Sequence, residues 1–346
     1  MTLSIRHPTT PMMDLDWLQQ ELIGFIRHQL GEHAQVRDLR AADGHAGLTF
    51  LFDVEQDSDR QGYVLRLPPP GVKRRGNTDV YRQAPLLRAL HAEGLPVPAV
   101  PWAQADEGWF GLPFLIMERL PGHNLLVWDP DPVFPRTVTA MRPLYREAAA
   151  ALARLHAFDC QRHLPNWDTP RALATEIAFW EPIYQKAPEP AWAQAAARVQ
   201  HLLADRIPDS SPIGLVHGDY QPGNILFDRG RVAGVIDWEL AHIGAQMLDL
   251  GWMLMITDPA MWHPEFGAVC PPPAGDIRQA YETARGEPVP DAPWFEALAA
   301  YRFASIACLN VRLHRKGQRV DPLWEQMALC VPRMFERARE ILETEA

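Results

Sequence analysis

Cysteine is scarce in this sequence, with only four residues, at positions 160, 270, 308 and 330. No two of them form a CxxC pair, and their spacing does not match the ligand patterns of structural zinc sites. Isolated cysteines are typical of a reducing compartment, where most are small buried hydrophobes. The sequence therefore indicates no zinc site and favours the cytoplasm.

An excess of positive charge and a long apolar run are also missing. The chain has 33 Lys and Arg against 43 Asp and Glu, a formal net charge of -10. Nucleic-acid surfaces need clustered Lys and Arg. The most apolar stretch, residues 247–256, is far shorter than a membrane span and contains Asp249. The first residues carry no apolar signal segment. We expect a cytoplasmic protein that binds neither nucleic acid nor a membrane.

The pattern that is present changes along the 346 residues, a length that allows one large domain or two packed lobes. Apolar residues at helical spacing predict helices over residues 14–30, 79–93, 145–158, 176–186, 192–207, 294–314 and 323–342. Short apolar runs predict strands over residues 48–54, 63–67 and 109–117, and a β island over 215–238. This order predicts an α+β fold with two lobes, a strand-rich part over residues 1–119 and a mostly helical part over residues 120–346.

The most informative segment is LVHGDYQPGNILFDRGRVAGVIDWE, residues 215–239. Two apolar runs flank the DRGR sequence, which is typical of a tight hairpin turn. With Asp228 opposite Arg231, Asn224 and Asp237 should come within about 7 Å of each other at the open end of the hairpin. Their oxygens suit a hydrated Mg²⁺. Asp219 lies on the adjoining loop, where it can accept a proton from a substrate hydroxyl.

These motifs carry a family resemblance. HGDYQPGN resembles the H-G-D-x-x-x-x-N catalytic loop of the aminoglycoside phosphotransferase and choline kinase-like family, and VIDWE is similar to the segment that replaces D-F-G there. The resemblance implies a bilobal protein-kinase-like fold and an ATP-dependent phosphotransferase. It further implies that Asp219 is the catalytic base, that His217 braces the loop as part of the catalytic set, and that Asn224 and Asp237 hold the metal ions. Asp249 resembles a second family Asp, which supports the loop.

The resemblance also indicates nucleotide-binding residues in the N-terminal lobe. The FLIMERLPG segment is similar to the family's hinge, so the backbone from Glu118 to Leu120 is expected to meet the adenine. Arg66 occupies the place of a phosphate-contacting Lys, and relatives similar to the kinase-like domains attached to acyl-CoA dehydrogenases share its VLR sequence. Gly44 and Gly47 supply a short phosphate loop in place of a full G-x-G-x-x-G.

Two other hypotheses follow from the same residues. No Glu partner for Arg66 is evident on the next predicted helix, where Gln83 falls nearest its place and Asp79 is a substitute. A nucleotide-binding module without transfer activity is therefore the alternative. Metal-dependent phosphoester hydrolysis is less favoured, because two-metal hydrolases generally need more His and carboxylate ligands. The partner is expected to be a small-molecule hydroxyl acceptor, such as an aminoglycoside-like compound, an amino alcohol or a hydroxyacyl metabolite. Neither a monomer nor a homodimer is indicated.

Overall fold

The protein consists of two compact units. The computed structural model describes residues 13–42, 48–74, 76–264 and 266–344. The N-terminal unit runs to Pro121 and includes Ala233–Leu240, and the C-terminal unit comprises Gly122–Val232 and Ala241–Ala346. The α+β fold class predicted from the sequence is confirmed, because one unit is rich in strands and the other is mostly helical. The functions assigned to residues 1–119 and 120–346 stay predictions.

The N-terminal unit is a five-stranded antiparallel sheet of order β1-β2-β3-β5-β4 with two helices. Its elements are α1 (Leu15–Leu30), β1 (Gln35–Ala41), β2 (Leu48–Gln56), β3 (Asp59–Leu67), α2 (Gln83–Ala92), β4 (Trp102–Gln104) and β5 (Phe114–Glu118). The predicted strand over residues 109–117 is wrong in its first half. Residues 109–113 form turns, because Gly111 adopts a φ of 63° that strands do not use.

Helix α1 covers the core of this unit, as its periodicity predicts. Asp14 caps its first turn by accepting from the backbone N–H groups of Asp16 and Trp17. Its buried face carries Phe25, whose ring meets the ring of Phe114 edge-on at 5.1 Å. The helix therefore joins the N-terminal segment to β5.

Helices dominate the C-terminal unit, which also contains short strands. The helices are α3 (Val138–His156), α4 (Cys160–His163), α5 (Leu173–Phe179), α6 (Glu181–Tyr184), α7 (Pro190–Asp205), α8 (Met247–Thr257), α9 (Ala274–Arg285), α10 (Ala292–Arg315), α11 (Leu323–Met327) and α12 (Val331–Thr344). Its strands are β6 (His123–Asn124), β7 (Ile213–Val216), β8 (Ile225–Asp228) and β10 (His242–Ala245), and β9 (Arg231–Val235) begins in this unit and ends in the N-terminal one. No helix in the described part of the chain is both long enough and apolar enough to span a membrane.

Several predicted helices differ from those observed. Residues 176–186 belong to two helices, α5 and α6, because Pro182 lacks the N–H that a continuous helix would need and instead sits in the first turn of α6. Residues 323–342 are divided in the same way, with Pro332 in the first turn of α12. Helix α8 is absent from the predicted set, because every one of its residues is buried and its sequence has no polar face to reveal a helical period.

Two pairings fix the segment between Ile213 and Asp228. Strand β7 pairs with β10 in antiparallel register, with Val216 opposite His242. Strand β8 pairs with β6 in antiparallel register, with Phe227 opposite His123. The predicted turn is confirmed, because β8 ends at Asp228 and the two loop residues, Arg229 and Gly230, both have positive φ angles of 47° and 79°. Two such residues are the signature of a type I′ hairpin turn.

Candidate active site

The C-terminal unit holds the HGD loop, which we define as residues 217–224. The loop begins directly after β7, and its last three residues, Pro222–Asn224, form a 3₁₀ turn that leads into β8. Gly218 adopts a φ of 90°, a conformation that favours glycine. This backbone path brings the side chains of Asp219 and Asn224 into hydrogen-bond contact.

Two amide side chains hold the carboxylate of Asp219. Asn224 Nδ2 donates to Asp219 Oδ2 at 2.8 Å and to the Asp219 carbonyl at 2.9 Å. Gln221 Nε2 donates to Asp219 Oδ1 at 2.8 Å. His217 is 2% exposed, and its Nδ1 accepts from the backbone N–H of Asp219 at 3.3 Å. The carboxylate is thus oriented from both oxygens, and the ring of His217 braces the backbone at Asp219.

Asp249, at the start of α8, holds the HGD loop by accepting hydrogen bonds from two of its backbone N–H groups. Its Oδ2 accepts from the backbone N–H of His217 at 2.6 Å, and its Oδ1 accepts from the backbone N–H of Gly218 at 2.8 Å. The expectation that Asp249 supports the loop is confirmed by these contacts. Burial alone would raise the pKa of Asp249, but hydrogen bonds from His156 and from the loop amides hold it below its ordinary value.

Asp249 also contacts His156, which in turn contacts Tyr281. His156 Nε2 is 3.3 Å from Asp249 Oδ2, and His156 Nδ1 is 2.8 Å from the hydroxyl of Tyr281. Burial lowers the pKa of His156, and nearby Arg285 acts in the same direction, whereas Asp249 opposes the shift. The neutral ring is therefore the form that this site favours.

The N-terminal unit contains the other predicted charged residues. Arg66, on β3, is buried, and its guanidinium donates to Asp237 Oδ1 at 3.2 Å and to Glu239 Oε2 at 3.0 Å. Asp237 has a φ of 65°, a strained conformation for a residue other than glycine. The carboxylate partners of Arg66 thus come from the IDWE segment, and Gln83, the first residue of α2, is buried.

The predicted hinge residues continue from β5. The N–H of Glu118 donates to the carbonyl of Ala99 at 2.9 Å, so the carbonyl of Glu118 is the group that it can offer to a nucleotide. The side chain of Leu120 occupies the space that a Cβ on Gly234 would need, which explains the glycine there. Gly44 and Gly47 lie outside the described residues, so the predicted phosphate loop stays a prediction.

Oxygen donors that suit Mg²⁺ are present at both predicted ligands. Because Asn224 commits its Nδ2 to Asp219, its Oδ1 is the atom of that amide that can face a cation. The side chain of Asp237 is 40% exposed. The described ranges contain no group of three His, Cys, Asp or Glu side chains arranged around a common point. A hydrated Mg²⁺ takes one or two protein oxygens beside phosphate oxygens, and each of these residues, considered separately, offers an oxygen of that kind.

Four residues that contact the site are missing from the sequence predictions. Gln221 and Glu239 each lie two residues after a predicted aspartate, and this proximity is a signal that could have identified them. His156 and Tyr281 have no comparable signal. His156 lies 93 residues before its partner Asp249, and Tyr281 lies 125 residues after its partner His156.

The comparison with known families agrees with this arrangement. The sequence profile described as "Phosphotransferase enzyme family" matches residues 39–294, which is well over half of the chain. The chain belongs to this family. Membership in this family is what the HGDYQPGN motif predicts.

Individual relatives show how far the similarity extends. The chain is 30% identical over 297 residues to a probable acyl-CoA dehydrogenase, IBR3, from Arabidopsis thaliana, an alignment that covers 76% of this chain and 34% of that protein. It is 28% identical over 241 residues to acyl-CoA dehydrogenase family member 10 from Mus musculus, covering 68% and 22% respectively. The chain thus spans about a third or less of the length of these curated relatives.

Solved structures show the same fold. A putative aminoglycoside phosphotransferase from Ralstonia eutropha JMP134 superposes with a TM-score of 0.76 at 23% identity, covering 94% of this chain and 98% of that one. Aminoglycoside phosphotransferase APH(4)-Ia, in a ternary complex with AMP-PNP and hygromycin B, gives a TM-score of 0.60 at 18% identity, covering 92% and 98%. At these identities the similarity establishes the fold.

Proposed function

We propose that this phosphotransferase moves the γ-phosphoryl group of ATP to a hydroxyl group of a small molecule. The observation that carries the proposal is the oriented carboxylate of Asp219, which Gln221 and Asn224 hold within the HGD loop. A protein of the same fold, APH(4)-Ia, binds AMP-PNP together with hygromycin B. This supports ATP as the donor and a small molecule as the acceptor.

In the proposed reaction Asp219 orients the acceptor hydroxyl and accepts its proton as the oxygen attacks the γ-phosphorus of ATP, the bond from that phosphorus to the bridging β–γ oxygen breaks, and ADP leaves. Phosphoryl transfer depends mostly on positioning and on stabilisation of charge. The two amide hydrogen bonds to Asp219 fix the direction of its carboxylate. His217 contributes by holding the loop backbone rather than by contacting the substrate.

Asn224 and Asp237 are the proposed metal ligands. When bound, Mg²⁺ would neutralise charge on the phosphates. Asn224 would offer its Oδ1, and Asp237 a carboxylate oxygen. Arg66 already contacts Asp237 and Glu239. We assign Arg66 to the nucleotide phosphates in place of lysine, with Glu239 keeping its guanidinium in position.

The remaining nucleotide contacts are assigned by sequence position. The backbone from Glu118 to Leu120 is the proposed adenine site, with the carbonyl of Glu118 as one acceptor. Gly44 and Gly47 are the proposed phosphate loop.

The acceptor belongs to one of three classes: aminoglycoside-like compounds, amino alcohols or hydroxyacyl metabolites. The segment beside the HGD loop favours an acceptor with an apolar portion. Leu125 N–H donates to the carbonyl of Pro222 at 3.1 Å, which ties this segment to the loop. The next apolar side chains, Leu126 and Trp128, are 38% and 44% exposed. Such exposed apolar residues beside a catalytic loop suit an acyl or alkyl group better than a polycation.

The test is acceptor-dependent ADP release with Mg-ATP across aminoglycosides, amino alcohols, macrolides, sugars and hydroxyacyl compounds. Asp219→Asn keeps the size of the side chain and removes the base, so turnover should fall at least about 100-fold while ATP binding by calorimetry persists. Asp228→Asn is the matched control, because Asp228 lies in the hairpin turn and pairs with exposed Arg229. Full turnover in Asp219→Asn would refute the assignment of the base.

The alternative is a nucleotide-binding module without transfer activity. It predicts that ATP binds but that no acceptor in the panel releases ADP, in the wild type or in either variant. Phosphatase turnover with Mn²⁺ and no ATP would instead support phosphoester hydrolysis.

A further inference from the structure

A chain of hydrogen bonds runs from helix α9 to the HGD loop through the core of the C-terminal unit. Arg285 Nη1 lies 3.0 Å from the hydroxyl of Tyr281, and this hydroxyl lies 2.8 Å from His156 Nδ1. His156 Nε2 lies 3.3 Å from Asp249, whose two oxygens accept from the loop amides. Four side chains and two loop amides on four different segments are thus connected.

The chemistry of the end groups sets the direction of every bond in this series. Arg285 can only donate, so the oxygen of Tyr281 accepts from it. Burial favours the neutral ring of His156, and the one ring proton belongs on Nε2, so Nδ1 accepts from the hydroxyl of Tyr281. That proton faces Asp249, which as a carboxylate can only accept.

The series is closed to water along most of its length. Tyr281 is fully buried, and the side chains of His156 and Asp249 are each 1% exposed. A buried polar group that loses its partner stays unsatisfied. Without the Tyr281 hydroxyl, Nδ1 of His156 would lose the donor that satisfies its lone pair, and Asp249 alone would remain to favour the proton on Nε2.

We propose that Tyr281, oriented by Arg285, is a positioning residue for phosphoryl transfer: it holds His156 in the Nε2–H tautomer that donates to Asp249, and Asp249 thereby holds the HGD loop. This rests on the proposed function only for the role of Asp219. Tyr281 touches no substrate, and it acts through His156 alone.

The kinetic test compares Tyr281→Phe with Tyr301→Phe in ADP release with the best acceptor of the panel. Tyr301 is the matched control, because it is also fully buried on a helix and its hydroxyl donates to a backbone carbonyl, that of Ile177, at 3.1 Å. Tyr281→Phe should lower kcat on the order of tenfold and leave KM for ATP within about twofold. Tyr301→Phe should leave kcat unchanged, and an equal loss in both variants would reduce Tyr281 to a packing role.

A double-variant cycle tests whether Tyr281 acts through His156. In His156→Gln the side-chain amide can still donate to Asp249, but it has no tautomer to be fixed. Adding Tyr281→Phe to this background should therefore leave kcat unchanged. The same fold-loss in both backgrounds would refute the proposal.

An NMR measurement needs no acceptor and so separates this inference from the proposed function. With ¹⁵N-labelled histidine, and His156→Gln to assign the signal, the wild type should show a protonated Nε2 and a bare Nδ1. Tyr281→Phe should shift the ring towards a mixture of tautomers. A wild-type ring protonated on Nδ1 would overturn the inference even if the enzyme transfers phosphate, and failure of Asp219→Asn to lose turnover would leave this reading of the ring intact.

Discussion

The change Glu296→Gln should stabilise the protein at pH 8 and have little effect at pH 5. Glu296 lies on α10 and is 8% exposed. Burial raises its pKa from 4.5 to about 7, the nearby Asp258 carboxylate adds to the shift, and Arg337 opposes it. Arg337 is already engaged with Asp258, donating to it at 2.9 Å. The carboxylates of Glu296 and Asp258 therefore share the positive charge of Arg337.

The magnitude follows from the two pKa values. Each tenfold change in proton affinity is worth about 1.4 kcal/mol, so a rise from 4.5 to about 7 corresponds to a cost on the order of 3 kcal/mol for the ionised group. Below pH 4.5 the carboxyl is protonated in both the folded and the unfolded chain, and no cost arises. Between pH 4.5 and 7 the folded chain binds more protons, so stability is lost as the pH rises, and above pH 7 the full cost applies.

Urea unfolding at pH 5 and pH 8 measures this cost. Glutamine is neutral at both pH values and can donate to Asp258, so the variant should exceed the wild type by up to about 3 kcal/mol at pH 8. Glu340→Gln is the control, because it removes an exposed carboxylate from the same Arg337, an interaction worth at most about 1 kcal/mol. A Glu296→Gln variant that is equally or less stable than the wild type at pH 8 would refute the reasoning.

Two further predictions concern the core of the C-terminal unit. Glu176 is 1% exposed and pairs with Arg302 at 3.2 Å and Arg171 at 2.9 Å; burial opposes its ionisation, but the arginines lower its pKa to about 2. The stabilisation that Glu176 contributes should be lost as the pH falls from 4.5 towards 2. Glu176→Gln should lower the free energy of unfolding by about 3–5 kcal/mol at pH 7 in urea unfolding, because it leaves Arg302 buried without its charge partner. A loss below about 1 kcal/mol would contradict this. A Cβ on Gly251 would lie 2.3 Å from the backbone oxygen of Phe295, so Gly251→Ala should force α8 away from α10 and lower stability by about 1–3 kcal/mol, and an unchanged thermal midpoint would show that the helices separate freely.

The part of the site that the sequence predicts is local. Asp219 and Asn224 are five residues apart, and the Pro222–Asn224 turn between them brings their side chains into contact. The hairpin turn at Arg229 and Gly230 is equally local, because two residues with positive φ are determined by the turn itself. Such features depend on short-range sterics and need no knowledge of the rest of the fold.

The contacts that the sequence does not predict are long-range. Arg66 and Glu239 are 173 residues apart, and the pair forms because β3 and the IDWE segment belong to the same unit. The next predicted helix offers the nearby candidates Gln83 and Asp79. The carboxylates that Arg66 contacts, Asp237 and Glu239, lie far along the chain instead. Helix α8 is not predicted for a different reason, because hydrophobic periodicity cannot identify a helix that is buried on every side.

The buried carboxylates of the fold differ in whether hydrogen-bond donors or another carboxylate lie beside them. Asp53 accepts from Arg60 and pairs with Arg119, in the predicted hinge, and Asp249 accepts from two loop amides and His156. In both cases burial alone would raise the pKa, but the donors hold it below its ordinary value. A carboxylate that stays ionised in the core is a fixed acceptor that orders the segments around it. Glu296 has another carboxylate beside it instead, so its charge destabilises the fold and anchors no segment. Asp249 and Asp53 therefore stay ionised in the core, where Asp249 holds the HGD loop and Asp53 contacts Arg119 of the predicted hinge.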